Sequence, residues 1–239
     1  MATCLNSNEI HSSMPIKALA VSDQIDPRIH SSTLRQRMPD IDIIFGCGDL
    51  PARYLEFLSD ALNKPVYYVL GNHLEEMTRH GERGKAAEPL GAIDLGGNVV
   101  RDESTGLLLA GIPGSPRYTD GEEQQYTEFQ ISSMIARMTP HLLFNRLRYG
   151  RALDILVTHS PPRGVNDRSD PPHRGFKSLI TFLHRFEPAY HLHGHVHLYD
   201  RNVPHEVDFE RTRVVNVYPF QVLEFETGTN GRLQRPSPP

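Results

Sequence analysis

Short runs of Val, Ile and Leu alternate along the chain with segments whose apolar residues recur at helical spacing. In the first third of the sequence, residues 16–21, 41–45 and 66–70 have the pattern of buried strands. Between those strands, the apolar spacing predicts helices over residues 30–38 and 53–62. This strand–helix–strand–helix–strand order predicts a mostly parallel sheet joined by right-handed crossovers.

The rest of the chain mixes hairpin and helical patterns. Two segments, at residues 98–102 and 107–112, flank a turn-like stretch and predict a β-hairpin. A loop rich in Pro, Gly and Asp covers residues 160–175. The other predicted elements are helices over 124–138, 141–149 and 176–186, strands over 155–158 and 189–193, and closing antiparallel strands over 212–217 and 221–226.

The length and composition limit the class of protein. A chain of 239 residues suits one large domain, which we expect over residues 16–227, with flexible tails at 1–15 and 228–239. No run of about eighteen apolar residues is present, and the first tail lacks the continuous apolar stretch of a signal peptide, so we expect no membrane partner. Cys4 and Cys47 are the only cysteines and make no disulfide framework, which favours a cytoplasmic location.

The charge balance bears on the class of partner. A formal net charge of −4 argues against non-specific binding of nucleic acid, which usually needs a basic face, and makes a nuclease the less favoured interpretation. It leaves a phosphate-bearing substrate open, because bound metal ions would reverse the charge locally.

Polar residues that are able to bind metal follow nearly every predicted strand. In open α/β sheets the carboxyl ends of the strands form the ligand crevice, so these groups should converge in space. Taken singly, each motif also fits an ordinary turn or a capped loop, but their number and their placement at strand ends indicate a binding site. In chain order they are Asp23 with Asp26, Gly48-Asp49, Gly71-Asn72-His73, Thr158-His159 and Gly194-His195-Val196-His197.

In this order the motifs resemble those of the calcineurin-like metallophosphoesterase superfamily. Its pattern is D-x-H, GD, GNH followed by an acidic residue, a later single His, and GHxH. The segment THSPPRG at residues 158–164 looks like a loop of one phosphodiesterase-like branch, and the segment GIPGSP at residues 111–116 is also similar to a loop there. The resemblance implies an α/β fold, a four-layer β-sandwich of two mixed sheets flanked by helices. It also implies hydrolysis of a phosphate ester, with a phosphodiester favoured.

The resemblance further implies a role for each residue. Two divalent ions would be held, for which Mn²⁺ is favoured and Fe, Zn²⁺ and Mg²⁺ stay open. They would bridge a hydroxide that attacks phosphorus in line. His73 would be no ligand and would instead stabilise charge on the phosphate or donate a proton to the leaving group. The implied ligands are Asp49, shared by both ions, Asp23 and His197 for one ion, and Asn72, His159 and His195 for the other.

Two positions depart from the family pattern. Ile25 stands where the pattern has the His of D-x-H, and its apolar side chain cannot bind a metal. Asp26 is the nearest replacement ligand, but an Asp followed by Pro also starts turns and caps helices, which is the interpretation we favour. Leu74 stands where an acidic residue should follow GNH, and Glu75 is placed to support His73 instead.

The loop after His159 carries charged side chains that could contact substrate, although a charged loop this rich in Pro is more often solvated. The expected partner is a small phosphate ester, and the oligomeric state stays open. A scaffold that keeps the fold with weakened activity is the alternative function, and the apolar Ile25 is the feature that favours it. The candidate substrate contacts are Arg163, Arg168, His173 and Arg174.

Overall fold

The computed structural model describes residues 15–73, 88–119, 124–199, 204–228 and 233–234. Most of the strands in these ranges form two large sheets, and helices pack on the outer face of each sheet. The predicted tails at 1–15 and 228–239 lie almost wholly outside the described residues. Among the residues that are described, no helix is both long enough and apolar enough to cross a membrane.

The first sheet has the strand order β13-β1-β2-β3-β4. Strands β1 to β4 run parallel to their neighbours, which confirms the parallel sheet predicted from the N-terminal pattern. Strand β13 pairs antiparallel with β1 and makes the sheet mixed. The strand bounds are β1 Ile16–Val21, β2 Ile43–Cys47, β3 Val66–Val69, β4 Ala92–Asp94 and β13 Phe220–Phe225.

The second sheet has the order β11-β12-β10-β9-β6-β5. Strands β5 and β6 form the predicted antiparallel hairpin. The two predicted closing antiparallel strands are confirmed, and they lie in different sheets: β12 pairs antiparallel with β11 here, and β13 pairs antiparallel with β1 in the first sheet. Strand β12 also runs parallel to β10. The strand bounds are β5 Val99–Arg101, β6 Leu108–Ile112, β9 Ile155–Thr158, β10 Tyr190–His193, β11 Glu206–Phe209 and β12 Thr212–Asn216. A short parallel pair, β7 Ser115–Pro116 and β8 Gln125–Tyr126, lies outside both sheets.

The helices correct the sequence pattern in two places. The predicted helix over 30–38 is a single turn, and the segments 124–138 and 141–149 belong to one helix that continues through Pro140. That proline is exposed, while Met138 and Leu142 on either side of it are buried, so packing of the inner face keeps the helix continuous. The helix bounds are α1 Leu34–Arg37, α2 Ala52–Leu62, α3 Glu128–Tyr149 and α4 Lys177–Phe186.

The side chains of the central strands alternate between two apolar layers. In β1, Ala18 and Ala20 face the core between the sheets, whereas Leu19 and Val21 face the layer under α1 and α2. This alternation is the period of two that a strand imposes on its side chains. A third apolar cluster packs α3 and α4 on the second sheet. The order helix, sheet, sheet, helix confirms the four-layer mixed α/β sandwich.

Candidate metal centre

The candidate ligands meet where strands of both sheets end. A cleft of about 240 Å³ opens at the carboxyl ends of β1, β2, β3 and β10. His159 follows β9 directly and lies fully buried behind Asp49 and Asn72. The side chains predicted to converge therefore do so, with the exception of Asp26. The cleft is lined by Asp23, Asp49, Asn72, His73, Tyr118, Pro172, His173, His195 and His197.

One imidazole has its protonation form set by a backbone carbonyl. Nδ1 of His159 lies 2.8 Å from the carbonyl oxygen of Cys47, which only accepts, so Nδ1 carries the proton. Nε2 then presents a lone pair in the neutral ring. It lies 3.1 Å from Oδ2 of Asp49 and 3.0 Å from Oδ1 of Asn72. These three acceptor atoms, one nitrogen and two oxygens, face one another, which is the arrangement expected around a cation that all three bind.

The charge balance of this group supports the same interpretation. Burial alone would lower the pKa of His159, but the charge of Asp49 and the hydrogen bond to it raise the pKa to about 9. Burial would raise the pKa of Asp49, yet the charge of His159 and the bonds from His159 and His73 hold it far below its usual range. Without a cation, a proton on Nε2 of His159 takes the position between the oxygens. The donor set therefore fits a divalent metal that replaces this proton.

His195 completes the central cluster. Together with Asp49 and His159 it offers ligand atoms that all lie within 4.8 Å of one another. Its Nε2 lies 2.7 Å from the carbonyl oxygen of Pro172, so this nitrogen donates and Nδ1 keeps the lone pair. Burial and the nearby charge of His159 lower the pKa of His195 to about 3. The ring is neutral at ordinary pH, which is the form that binds metal.

Asp23 and His197 form a second group beside the first. Nε2 of His197 lies 3.5 Å from Oδ1 of Asp23, and the His197 ring stacks on Tyr218 with centroids 4.4 Å apart. The carboxylate of Asp23 accepts the backbone N–H of His195 at 3.0 Å, which joins the two groups. Burial would raise the pKa of Asp23, but the hydrogen bond from His197 and the charge of His159 lower it.

Glycines allow the backbone to press against the ligand carboxylates. A Cβ added at Gly71 would lie 1.9 Å from Oδ1 of Asp49, and one at Gly194 would lie 2.5 Å from Oδ2 of Asp23. Any larger residue at either position would have to displace the carboxylate. This explains why the GNH and GHxH motifs need glycine beside the ligand carboxylates.

The other predicted residues fall in different places around the cleft. His73 lines the cleft, and its backbone N–H donates to Oδ1 of Asp49 at 2.9 Å. The carboxylate of Asp26 instead accepts three hydrogen bonds from Arg28, at 2.7–2.9 Å, and holds the turn before α1. Asp26 does not line the cleft, and Ile25 is partly exposed. Glu75 lies outside the described residues.

Of the four candidate substrate contacts in the charged loop after β9, one lies at the cleft. His173 lines it, with its ring centroid 5.3 Å from that of His195. Arg168 donates to the carbonyl oxygen of His197 at 2.6 Å. Arg174 donates to the carbonyl oxygen of Ser169, and Arg163 lies 3.9 Å from Asp167.

Tyr118 and Pro172 are features of the site that the sequence pattern did not reveal. Pro172 acts through its carbonyl oxygen, which no side-chain motif can indicate. Tyr118 lies two residues after the GIPGSP segment, and its hydroxyl lies 3.4 Å from Nδ2 of Asn72. That segment was the one available signal for Tyr118.

The chain is similar to known proteins over most of its length. Residues 22–199 match the family model for calcineurin-like phosphoesterases. The UPF0046 protein K07C11.7 of Caenorhabditis elegans is 25% identical over 217 residues, which cover 81% of this chain and 67% of that protein.

Solved structures support the fold. The crystal structure of TT1561 of Thermus thermophilus superposes with a TM-score of 0.54 at 16% identity, covering 85% of this chain and 89% of that one. Another crystal structure gives a TM-score of 0.57 at 16% identity and covers 89% and 99% of the two chains. The family match spans most of the chain, including every cleft-lining residue from Asp23 to His197. The chain therefore belongs to the calcineurin-like phosphoesterase family.

Proposed function

We propose that this protein is a phosphodiesterase that works with two divalent cations, with Mn²⁺ favoured. The observation that carries the proposal is the arrangement at His159. Its Nδ1 is bonded to the carbonyl of Cys47, while its Nε2 lies at about hydrogen-bond distance from Oδ2 of Asp49 and Oδ1 of Asn72. Neither of these two oxygens carries a proton. Burying these acceptor atoms together is costly unless a positive charge lies between them, which is a proton in the metal-free protein and would be a divalent cation in the loaded one.

The side chains divide into two groups that would hold the ions. Asp49, Asn72, His159 and His195 supply mixed oxygen and imidazole ligands for one, and Asp23 with His197 supplies the second, next to Asp49. Such ligands suit Mn²⁺, Fe or Zn²⁺. When bound, a pair of divalent ions supplies Lewis acidity and a nucleophile derived from water at neutral pH.

The remaining cleft residues would act on the substrate itself. His73 is exposed at the cleft wall, and its backbone is fixed by Asp49, so we assign its ring the role of donating a proton to the leaving oxygen. His173 and Tyr118 line the same cleft and can donate hydrogen bonds to phosphate oxygens. The preference for a diester rests on the likeness of the THSPPRG loop to a phosphodiesterase-like branch.

A titration with Mn²⁺ tests the proposal. Purified metal-free protein should gain thermal stability as Mn²⁺ is added, and should begin to cleave an aryl phosphodiester over the same concentration range. Asn72→Ala provides a matched variant, because it removes one ligand oxygen and should shift both curves to higher Mn²⁺ concentration.

The alternative is a scaffold with weakened activity, which Ile25 favours because it replaces a ligand of the family pattern. Thermal stabilisation by Mn²⁺ without cleavage of diester or monoester would support the scaffold and reject the enzyme. No stabilisation by Mn²⁺, Fe, Zn²⁺ or Mg²⁺ would reject the metal centre.

A further inference from the structure

A second space adjoins the metal cleft, and the two share Tyr118. This neighbouring pocket has a volume of about 570 Å³, more than twice that of the cleft. The hydroxyl of Tyr118 lies 3.4 Å from Nδ2 of Asn72, which is a candidate ligand. A substrate with its phosphate at the metal ligands therefore meets Tyr118 first on the way into the pocket. The pocket is lined by Pro116, Arg117, Tyr118, Thr119, Tyr126, Thr127, Glu128 and Phe176.

A buried amide holds the wall that carries Tyr118. Oε1 of Gln125, a residue only 3% exposed, accepts the backbone N–H groups of Tyr118 and Thr119 at 3.1 Å each. It also accepts the hydroxyl of Thr119 at 3.0 Å. The backbone N–H of Arg117 donates to the carbonyl of Tyr126 at 3.0 Å. Because several bonds converge on this wall, the position of Tyr118 is set before any ligand arrives.

The chemistry of the pocket favours a flat apolar group. Tyr118, Tyr126 and Phe176 contribute rings, and the hydroxyl of Tyr126 already donates to the side chain of Gln124 at 2.6 Å. The carboxylate of Glu128 is engaged by the first backbone N–H groups of α4, at 2.8 and 2.9 Å. Aromatic rings select other rings by offset or edge-to-face packing.

We propose that this pocket binds an aromatic ester group of the substrate, and that Tyr118 is the specificity-determining residue between that group and the phosphate. The inference rests on the proposed function only for the position of the phosphate. A pocket with three ring-bearing residues in its walls is typical of the apolar part of a small-molecule site. The substrate class is then a phosphate ester with a planar ring on one ester oxygen.

Binding of two phosphonates tests the pocket without any turnover. Phenylphosphonate and methylphosphonate carry the same head group on a P–C bond that hydrolysis does not cleave. Calorimetric titration of the Mn²⁺-loaded protein should give a dissociation constant roughly tenfold lower for phenylphosphonate, as expected for one ring packed against others. Equal constants for the two ligands would overturn the proposal.

Variants of the pocket residues locate the effect. Tyr118→Ala and Tyr126→Ala should each reduce the phenyl-to-methyl ratio towards one, whereas Tyr118→Phe keeps the ring and should keep the ratio. Phe129→Ala is the matched control, because Phe129 is an 80% exposed ring next to Glu128 that lines neither space. A ratio that survives both alanine substitutions would place the ring elsewhere and reject the pocket.

The same proteins separate this inference from the proposed function. Cleavage of methyl 4-nitrophenyl phosphate by the Mn²⁺-loaded protein tests the enzyme, and the phenyl-to-methyl ratio of phosphonate binding tests the pocket. Cleavage of this diester with equal phosphonate binding would leave the phosphodiesterase standing and overturn the pocket. Selective phenylphosphonate binding without any cleavage would keep the pocket and reject the enzyme.

Discussion

Two glycines with the same backbone conformation offer a sharp test of the metal centre. Gly48 and Gly164 have φ values of 91° and 81°, in the left-handed region that other residues rarely adopt. They differ in their surroundings. A Cβ at Gly48 would lie 2.4 Å from Nδ1 of His159 and 2.8 Å from Cα of Gly71, whereas a Cβ at Gly164 meets nothing within 4 Å. We expect Gly48→Ala to damage metal binding and Gly164→Ala to leave it intact.

The magnitudes separate the two effects. An alanine in the left-handed region costs about 1–2 kcal/mol, which both variants share. In a protein of this size, that cost should lower the melting temperature of each by roughly 2–8 °C. Only Gly48→Ala also pushes the ring of His159 away from the carbonyl of Cys47, which fixes its tautomer. Loss of such an orienting bond typically weakens metal affinity by about 10- to 100-fold.

Calorimetric titration with Mn²⁺ at neutral pH, together with thermal melts of the metal-free proteins, measures both quantities. The expected pattern is a loss of melting temperature in both variants that is larger in Gly48→Ala, because the added Cβ there also meets His159 and Gly71, with weaker Mn²⁺ binding in Gly48→Ala alone. Equal Mn²⁺ affinity in both variants would refute the argument that His159 is held against its partners by the close approach at Gly48. Weakened binding in Gly164→Ala would show that strain in the loop after β9 reaches the site.

Three further predictions concern the metal centre. Asp49→Ala should remove metal and activity together, whereas His73→Ala should lower turnover by about 10²-fold with metal content unchanged. Loss of metal from the His73 variant, measured by elemental analysis, would contradict the role of His73 as a proton donor that binds no metal. Because Ile25 supplies no ligand, Mn²⁺ should bind in one tight and one weak step. The variant Ile25→His should tighten the weak step, and Asp26→Ala should leave both steps unchanged. Calorimetry that shows two equal sites in the wild type would reject this prediction. In metal-free protein the pKa of His159 is raised to about 9, whereas in the unfolded chain it is about 6.5. The charged imidazole therefore contributes its full stabilisation below about pH 6.5, and this contribution is lost as the pH rises through about 9. The urea midpoint should fall over that window without Mn²⁺ and not with it, and an equal pH dependence in the two forms would disprove the coupling.

Strands β1, β2 and β3 of the parallel part were predictable because most or all of their residues are buried. In β2 every residue is buried, so the run appears in the sequence as a continuous apolar segment bounded by polar ones. Strands β4 and β11 were missed for the opposite reason. They lie at the edges of their sheets, and their residues are mostly exposed, so no apolar pattern marks them. The pairing of β12 was also beyond the pattern, since its partner β10 is set by contacts between distant segments.

The ligand side chains were predictable, but the groups that orient them were not. Asp49 and His159 stand in motifs with a chemical reason for each residue type. The carbonyl oxygens of Cys47 and Pro172, which set the tautomers of two histidines, belong to the backbone and leave no trace in residue identity. The segment that carries Tyr118 to the cleft is held by the buried amide of Gln125, a contact between residues that no motif links.

The strained backbone of the site has a structural explanation that bears on the missing histidine. Asp23, Asp49 and His195 have φ values of 61°, 52° and 65°, a conformation that costs about 1–3 kcal/mol per residue outside glycine. Backbone bonds hold it, since Asp23 N–H donates to the carbonyl of Gly48 at 3.1 Å and Gly194 N–H donates to that of His159 at 3.0 Å. These bonds tie β1 to β2 and β10 to β9 at the ends that carry the ligands. Because the fold fixes the ligand positions in this way, replacing one imidazole removes a donor atom without releasing the others.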